Sequence, residues 1–505
     1  MIDITRLDPV QLERFIHMQA IVGRQEEAAE NVKDARDYYD GEHPVPLTKR
    51  QKEYLGPLLT ESGVGFNHNL VKVVIDRLRE RINLIGFTVN GESASDKPEN
   101  ANQEAASLLW QWWTENRMER QQIRLHRRTL RDGLSYVMVD YDSDQRRPRI
   151  TLHKVDDGTT GITYHRDPSD ENHVLFACRY FYTFDPLKPG HTGIERKTVY
   201  LPNEIRKYRR AQGGQNMGQW EPVQDDDDSG WPLPWVDRQG NPLGVAVIEF
   251  QNPGGSEALQ VAGLQNALNK SWLDLLAAAD TNGFPILTAN YRDALVVEDD
   301  DDANLEGDDE FKIAPGRLME IFGGNLDRIP ASDLGPMIET MWTIVAAIGG
   351  ITSTPQFYLK PILGVDVPSG EALKQLESGL VKRAEERMLE YGESWEQVME
   401  MCVRVNSAFG NGGPVPDPLT ISTQWADANT RMEEVEANAA EKHAALGVPK
   451  PAVWQKLGYS PEQIAQFRED EMIQTQQQIA AVAGALQARE QRAQPVTGTP
   501  PQGGA

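Results

Sequence analysis

Apolar residues return at every third or fourth position over long stretches of this chain, and where that rhythm stops a strand texture takes over. Residues 1–40 read as helical: Leu12, Phe15, Ile16 and Gln19 lead into an Ala/Glu-rich stretch ending at Tyr38 and Tyr39, and Asp40-Gly41 breaks it. The spacing of Leu70, Val73, Val74, Arg77, Leu78 and Arg81 predicts a helix over 67–82, with Asn69 placed to cap it. A further helical block, 104–131, carries Leu108, Leu109, Trp112, Trp113, Ile123 and Leu130. From Ser135 the pattern is β-rich: 136–139, 149–152, 174–182, 198–201 and 245–250 are strand-like runs between Asp, Gly and Pro breaks. Residues 211–242 read as a loop region, so 1–253 is expected to form one α+β domain.

The second half is built differently. Residues 256–280 predict a helix close to 37 Å long at the usual rise of about 1.5 Å per residue. Strand-like stretches at 283–291 and 311–322 flank an acidic insert, and 332–348 predicts a second helix with Leu334, Met337, Met341, Val345 and Ile348 on one face. Pro336 falls in the first turn of that helix, where proline is tolerated. After a Pro/Gly-bounded segment, 349–370, comes the longest helical pattern, 371–409. Leu373, Leu376, Leu380, Met388, Tyr391, Trp395, Val398, Cys402 and Val405 mark it, Ser369 is a fitting N-cap and Gly410 a fitting stop. Such a helix spans nearly 60 Å, about twice the width of a small domain, and implies an elongated molecule. Residues 420–424 read as a short strand, 430–446 and 461–492 as helices, and the Pro/Gly-rich end from Gln494 as disordered.

Composition narrows the function classes. The 505 residues are enough for several domain-sized units, and 39% hydrophobic with 25% charged content is ordinary for a globular chain. Cys178 and Cys402 stand too far apart in sequence for a disulfide framework or a zinc motif, which fits a reducing compartment. Residues 1–7 lack the basic and apolar regions of a signal peptide. The longest apolar run, 342–351, is about half of what a membrane-spanning helix needs, so no membrane partner is expected. The net charge of −25 argues against tight duplex binding, which works by pairing Lys and Arg with phosphates. It is compatible with a solvated surface, the plainer reading, and also with a conduit that must not hold DNA.

Catalytic signatures are missing: the chain contains no G-x-x-x-x-G-K-[ST] loop, no H-E-x-x-H and no G-x-S-x-G. His153, His165 and His173 share a β-rich region, but without ligand spacing they read as surface or hydrogen-bonded histidines. Glu298, Asp299, Asp300, Asp301, Asp302, Glu306, Asp308, Asp309 and Glu310 form a run with no basic residue among them. Carboxylates that hold Mg²⁺ usually come from separate rigid elements, so a solvated loop, a repulsive rim or a docking surface suits the run better than a metal site. Asp225 to Asp228 has only the solvated reading. The segment 352–368 sets Phe357, Tyr358, Lys360, Ile362 and Leu363 between prolines; it is either a packed connection or a projecting loop whose aromatic and basic residues touch nucleic acid.

The order of these elements resembles the portal proteins of long-tailed phages. Local stretches share in the likeness: Tyr38-Tyr39-Asp40-Gly41, Asn67-His68-Asn69-Leu70-Val71, Gly283-Phe284-Pro285-Ile286-Leu287, Ser369-Gly370-Glu371-Ala372-Leu373 and Ile421-Ser422-Thr423-Gln424-Trp425. The likeness runs over about 30–490 and lies in order and spacing, not in one motif. It implies an α+β, predominantly helical portal fold, elongated, with wing, stem, clip and crown. Residues 1–253 would be the wing, 254–280 the first stem helix, 281–330 the clip and 331–350 the second stem helix. Residues 351–368 would be the tunnel loop, 369–425 the long helix and the strand returning to the wing, 426–492 the crown and 493–505 a disordered tail. The implied function is that of a head–tail connector, a ring subunit forming the DNA channel at one capsid vertex for genome packaging, retention and ejection, without catalysis, cofactor or metal. Implied partners are further copies in a dodecamer, the terminase large subunit, the head–tail adaptor, the major capsid and scaffolding proteins, and double-stranded DNA held weakly. Gln356, Phe357, Tyr358 and Lys360 become DNA-facing candidates, and Glu298, Asp299, Asp300, Asp301, Asp302, Asp308 and Asp309 the acidic clip loop. The implied location is the virion, after assembly in the host cytoplasm. Two other readings compete: a capsid or minor head protein, and a Mg²⁺ nuclease using the acidic run.

Overall fold

The computed structural model describes residues 9–22, 26–43, 49, 68–95, 97–183, 193–211, 220–223, 231–283, 287–290, 318–321, 325–328, 333–360, 370–413, 416, 418–429, 449–456, 463–464, 466–469 and 472. Two helices open the chain, α1 (Pro9–Val22) and α2 (Glu26–Asp40), where the sequence suggested one helical stretch. Helix α3 (Leu70–Arg79) begins where expected: the Asn69 side chain accepts from the Lys72 amide at 3.1 Å, satisfying one of the unpaired donors of the first turn. Its Leu70, Val71, Val74, Ile75 and Leu78 are buried. Strands β1 (Leu84–Val89) and β2 (Glu92–Ser93) form a hairpin, and the helical block that follows divides into α4 (Ala101–Glu115) and α5 (Met118–Asp132).

The division has a local cause. Arg117 adopts a left-handed conformation with φ +56°, and the buried Asn116 donates to the carbonyls of Trp112 (2.8 Å) and Pro148 (3.0 Å) while accepting from Ile150 N (3.1 Å). Helix α5 ends at Gly133, φ +85°, whose amide bonds Thr129 O.

Strands β3 (Leu134–Asp142), β4 (Arg147–Lys154), β5 (Gly161–Asp167), β6 (Asp170–Thr183), β7 (Ile194–Tyr200), β8 (Glu204–Ala211), β9 (Glu221–Pro222), β10 (Leu233–Pro234) and β11 (Val247–Gln251) follow. They make a three-stranded sheet ordered β11-β3-β4 and a six-stranded antiparallel sheet along β10-β8-β7-β6-β5, with β9 on β8. Helix α1 covers one face of the larger sheet through Ile16 and Phe15, the latter edge-on to Phe176 at 6.1 Å. His153 and His165 pair with Thr151 and Thr163 at 3.1 Å within their own strands, and among the described residues no group of His, Cys, Asp or Glu is placed to hold a metal ion.

The second half comprises α6 (Glu257–Gly283), β12 (Leu287–Asn290), β13 (Leu318–Ile321), β14 (Asn325–Arg328), α7 (Gly335–Thr352), the one-turn α8 (Gln356–Leu359), α9 (Gly370–Phe409), β15 (Ile421–Trp425) and α10 (Lys450–Lys456). The three short strands form a mixed sheet, β12 parallel to β13 and antiparallel to β14. Strand β15 returns to the first half and pairs antiparallel with β1, Phe87 opposite Thr423. The 40 residues of α9 extend over about 60 Å and serve as the spine of the main core. Trp395 meets Trp113 and Phe250 edge to face, each at 4.8 Å, an arrangement that adds about 0.5–1.5 kcal/mol to area burial. Cys178 and Cys402 are both free and buried. Helix thus predominates over strand, as the patterning indicated. Among the described residues no helix is long and apolar enough to cross a membrane. The helix expected at 430–446, the end of the chain from Gln494 and the acidic run 298–310 lie outside the described residues.

Candidate functional site at the base of the helical pair

One arginine fixes the geometry of α6 and α7. Arg383 of α9 donates through Nη2 to Glu257 Oε2 at 2.6 Å, at the first residue of α6, and through Nη1 to the carbonyl of Thr352, the last residue of α7. The start of one helix and the end of the other therefore meet at a single point on α9. The two helices run antiparallel, and the small sheet β12–β14 connects them at the far end.

Arg387, one turn further along α9, completes the base. Its Nη2 reaches Glu257 Oε1 (3.0 Å) and Pro253 O (3.1 Å), and its Nε reaches Asn252 Oδ1 (3.1 Å). Asn252 in turn donates to Glu257 Oε1 at 3.2 Å and accepts from the Tyr391 hydroxyl at 3.3 Å. The side chain of Glu257 is fully buried, and Arg387 and Arg383 are 5% and 15% exposed. A buried carboxylate is tolerable only because two guanidinium groups and an amide occupy its oxygens. Burial pushes the Tyr391 phenol well above its ordinary pKa, so it acts as a neutral donor.

A second polar cluster holds the segment after α7. Ser353 takes a left-handed turn, φ +50°, and the chain folds back so closely over Gly349 that a Cβ there would lie 2.9 Å from the Thr354 carbonyl. The expected loop 351–368 therefore starts as the last turn of α7 followed by α8, and its remainder from 361 lies outside the described residues. Tyr358 is half-buried: its hydroxyl donates to Glu377 and accepts from Arg81 Nη2 at 3.2 Å, and Arg77 lies over its ring at 4.8 Å. Burial and then the Glu377 hydrogen bond raise its pKa, against the pull of Arg81. Arg81 also pairs with Glu377 at 2.9 Å and donates to Ala428 O at 2.7 Å. Lys360 sits over the Trp342 ring of α7 at 4.4 Å, a cation–π contact. Gln356 and Lys360 are exposed, and Phe357 is half-buried against Tyr358.

The structure therefore brings Phe357, Tyr358 and Lys360 against α3, α7 and α9. Glu298, Asp299, Asp300, Asp301, Asp302, Asp308 and Asp309 fall outside the described residues. Sequence reasoning missed Glu257, Arg383, Arg387, Arg81 and Glu377. Arg383 and Arg387, four apart on a helix face otherwise given to core residues, were the available signal.

An α+β subunit, helix-rich, with an antiparallel helical pair carrying a small sheet and anchored on one very long helix, defines the structural class. The family model described as "Phage portal protein, SPP1 Gp6-like" matches residues 19–478, and the chain belongs to this family, which is structural and not enzymatic. The chain is similar to the portal protein of Mycobacterium phage L5, 24% identical over 469 residues that cover 88% of this chain and 85% of the relative. It is likewise similar to the portal protein of Mycobacterium phage D29, 24% identical over 474 residues covering 88% and 87%. Among solved structures it is similar to a chain described as "Neck of empty GTA particle computed with C6 symmetry", with 12% identity, a TM-score of 0.36, and coverage of 79% of this chain and 89% of the other. A portal protein of this family is a component of the phage virion.

Proposed function

We propose that the chain is one subunit of a closed ring, a dodecamer in the virion, whose central hole is the DNA channel at one capsid vertex. The observation that carries this reading is the helical pair clamped at its base by Arg383 and bearing the small sheet at its far end. In the proposed assignment 1–253 is the wing, 254–280 and 331–350, which hold most of α6 and α7, are the stem, 281–330 the clip, 351–368 the tunnel loop, and 426–492 the crown. The clip would dock the terminase during packaging and the head–tail adaptor afterwards, with capsid and scaffolding proteins around the wing. Assembly would take place in the host cytoplasm.

The proposed mechanism is passive: the terminase hydrolyses ATP and this chain supplies a guide. Helices α6 and α7 contain no arginine and one lysine, Lys270, which is already paired with Asp274 at 2.6 Å. A wall of that kind offers the phosphate backbone no cation to hold it, and the acidic run 298–310 would repel it further. Gln356 and Lys360, exposed at the base of the stem, would supply weak steadying contacts, with Phe357 and Tyr358 shaping the segment that presents them.

Negative-stain imaging of the purified full chain tests the reading. Closed rings with a central hole support it, whereas shells or dispersed monomers support the competing reading as a capsid or minor head protein. A packaging assay tests the acidic role separately: Asn at each of 299–302 should impair terminase docking or DNA packaging, and full activity of that variant would remove the role.

A further inference from the structure

We infer that the cleft between the two wing sheets is a binding site for a phosphate-bearing ligand of nucleotide size. The six-stranded sheet has two chemically distinct faces because successive side chains on a strand point to opposite sides. Cys178, Tyr180, Val199 and Tyr208 turn toward α1 and form the second core. The other face presents Arg179 and Phe181 from β6, Arg196 and Tyr200 from β7, and Lys207 from β8. Register brings them together: Arg179 lies opposite Thr198, Thr198 opposite Lys207, and Phe181 opposite Arg196. Strands β3 and β4 supply the facing wall with Asp140 and Arg149, and Trp235 closes one side of a cavity of about 420 Å³. That volume lies within the roughly 300–1,000 Å³ of small-ligand sites and is far too small for a duplex.

The charge in this cleft runs against the chain as a whole. Four cations, Arg149, Arg179, Arg196 and Lys207, line it with a single carboxylate, Asp140, in a protein of net charge −25. Arg149 already engages Asp140 at 2.9 Å. Among the described residues neither Arg179 nor Arg196 forms an ion pair with a carboxylate: Arg179 lies over the Phe181 ring at 4.7 Å and spends one donor on the Tyr200 hydroxyl, and Arg196 uses Nε on Thr183 Oγ1 at 3.1 Å. Both guanidinium groups thus keep donors for an incoming anion. Asp140 balances Arg149, whereas Arg179 and Arg196 leave two guanidinium charges in the lining without a carboxylate among the described residues. A phosphate, with up to two negative charges and three oxygens matched to guanidinium forks, fits that excess better than a side-chain carboxylate does. The ligand is a free nucleotide or a residue of a nucleic-acid strand. The inference does not depend on ring formation, because the whole cleft belongs to one chain.

The test uses the purified full chain and three probes: a fluorescently labelled oligothymidylate of about ten residues, a free nucleoside diphosphate, and a polyglutamate peptide of matched charge. The expected result is salt-sensitive binding of the oligonucleotide or the nucleotide, weakened about tenfold or more in the R179Q/R196Q double variant. R196Q alone is the second variant should the double variant fail to fold, with circular dichroism as the check. A tenfold preference for the oligonucleotide assigns the site to a nucleic-acid strand, and equal affinity assigns it to a free nucleotide. No binding of either phosphate probe overturns the inference. So does affinity unchanged in the folded variants, or polyglutamate competing as well as the nucleotide.

Discussion

Replacing Glu257 by alanine perturbs the point where the helical pair joins the long helix. The carboxylate has no exposed surface, and the variant leaves Arg387, 5% exposed, with only the largely exposed Glu386 carboxylate to offset its burial. Arg383 loses its 2.6 Å bond as well and keeps, among the described residues, the Thr352 carbonyl. Removing one partner of a buried pair costs about 3–5 kcal/mol, because the remaining charge stays desolvated. The disturbed amides are those of the first turns of α6 and of residues 380–391, so hydrogen exchange read by mass spectrometry is the assay of choice. At roughly 1.4 kcal/mol per factor of ten, local exchange should accelerate by between about two and four powers of ten. Exchange within the six-stranded sheet, none of whose described residues is a hydrogen-bond or ion-pair partner of Glu257, should stay as it was. The control is Arg404→Ala: its pair with Glu400 at 3.3 Å is half exposed on both sides, and such surface pairs contribute about 0–1 kcal/mol. An acceleration at the base below about fivefold for Glu257→Ala, or one equal to that of the control, would refute the claim that this network clamps the pair.

Three further outcomes follow from the same structure. Burial lowers the pKa of His126 to about 3 against 6.5 when unfolded, so between those values the unfolded chain takes up a proton that the native one refuses. Stability attributable to His126 therefore falls as pH drops through that window, by up to about 1.4 kcal/mol per unit, and denaturation curves of wild type and His126→Gln should converge or cross toward acid; parallel curves would contradict this. Gly133→Ala places a Cβ 3.1 Å from Ser256 N at φ +85°, which should cost about 1–3 kcal/mol and lower the melting temperature. Lys360→Ala removes only a cation–π contact with Trp342, so the fold should be nearly unchanged while phage carrying it retain packaged DNA less well; normal retention would rule out a DNA contact at this residue.

The rhythm of Leu380, Met388, Tyr391, Trp395, Val398, Cys402 and Val405 made α9 legible to within a residue at each end, because a helix that buries one stripe writes its period into the chain. Asn69 announced α3 through its capping chemistry. The break at Arg117 was not legible: a left-handed arginine carries no residue-type signature, and Asn116 is satisfied by the distant strand β4. Pairing of β15 with β1 joins residues more than 330 positions apart, and local patterning has no means of naming such a partner. The base of the helical pair stayed hidden for a related reason. Glu257 has the appearance of an ordinary first-turn acid, and only the approach of α9 makes it a buried partner of two arginines. The cationic wing cleft was equally invisible, since Arg149, Arg179, Arg196 and Lys207 come from four strands in two sheets.

The central claim is that copies of this chain close into a ring whose hole is bounded by the helical pair. Cryo-electron microscopy of the purified full chain, with averages resolved to secondary structure, tests it most directly. The account predicts closed rings in which Glu257–Gly283 and Gly335–Thr352 surround the axis, with each base anchored on Gly370–Phe409. Open shells, isolated monomers, or rings that carry this helical pair on their outer rim would contradict it.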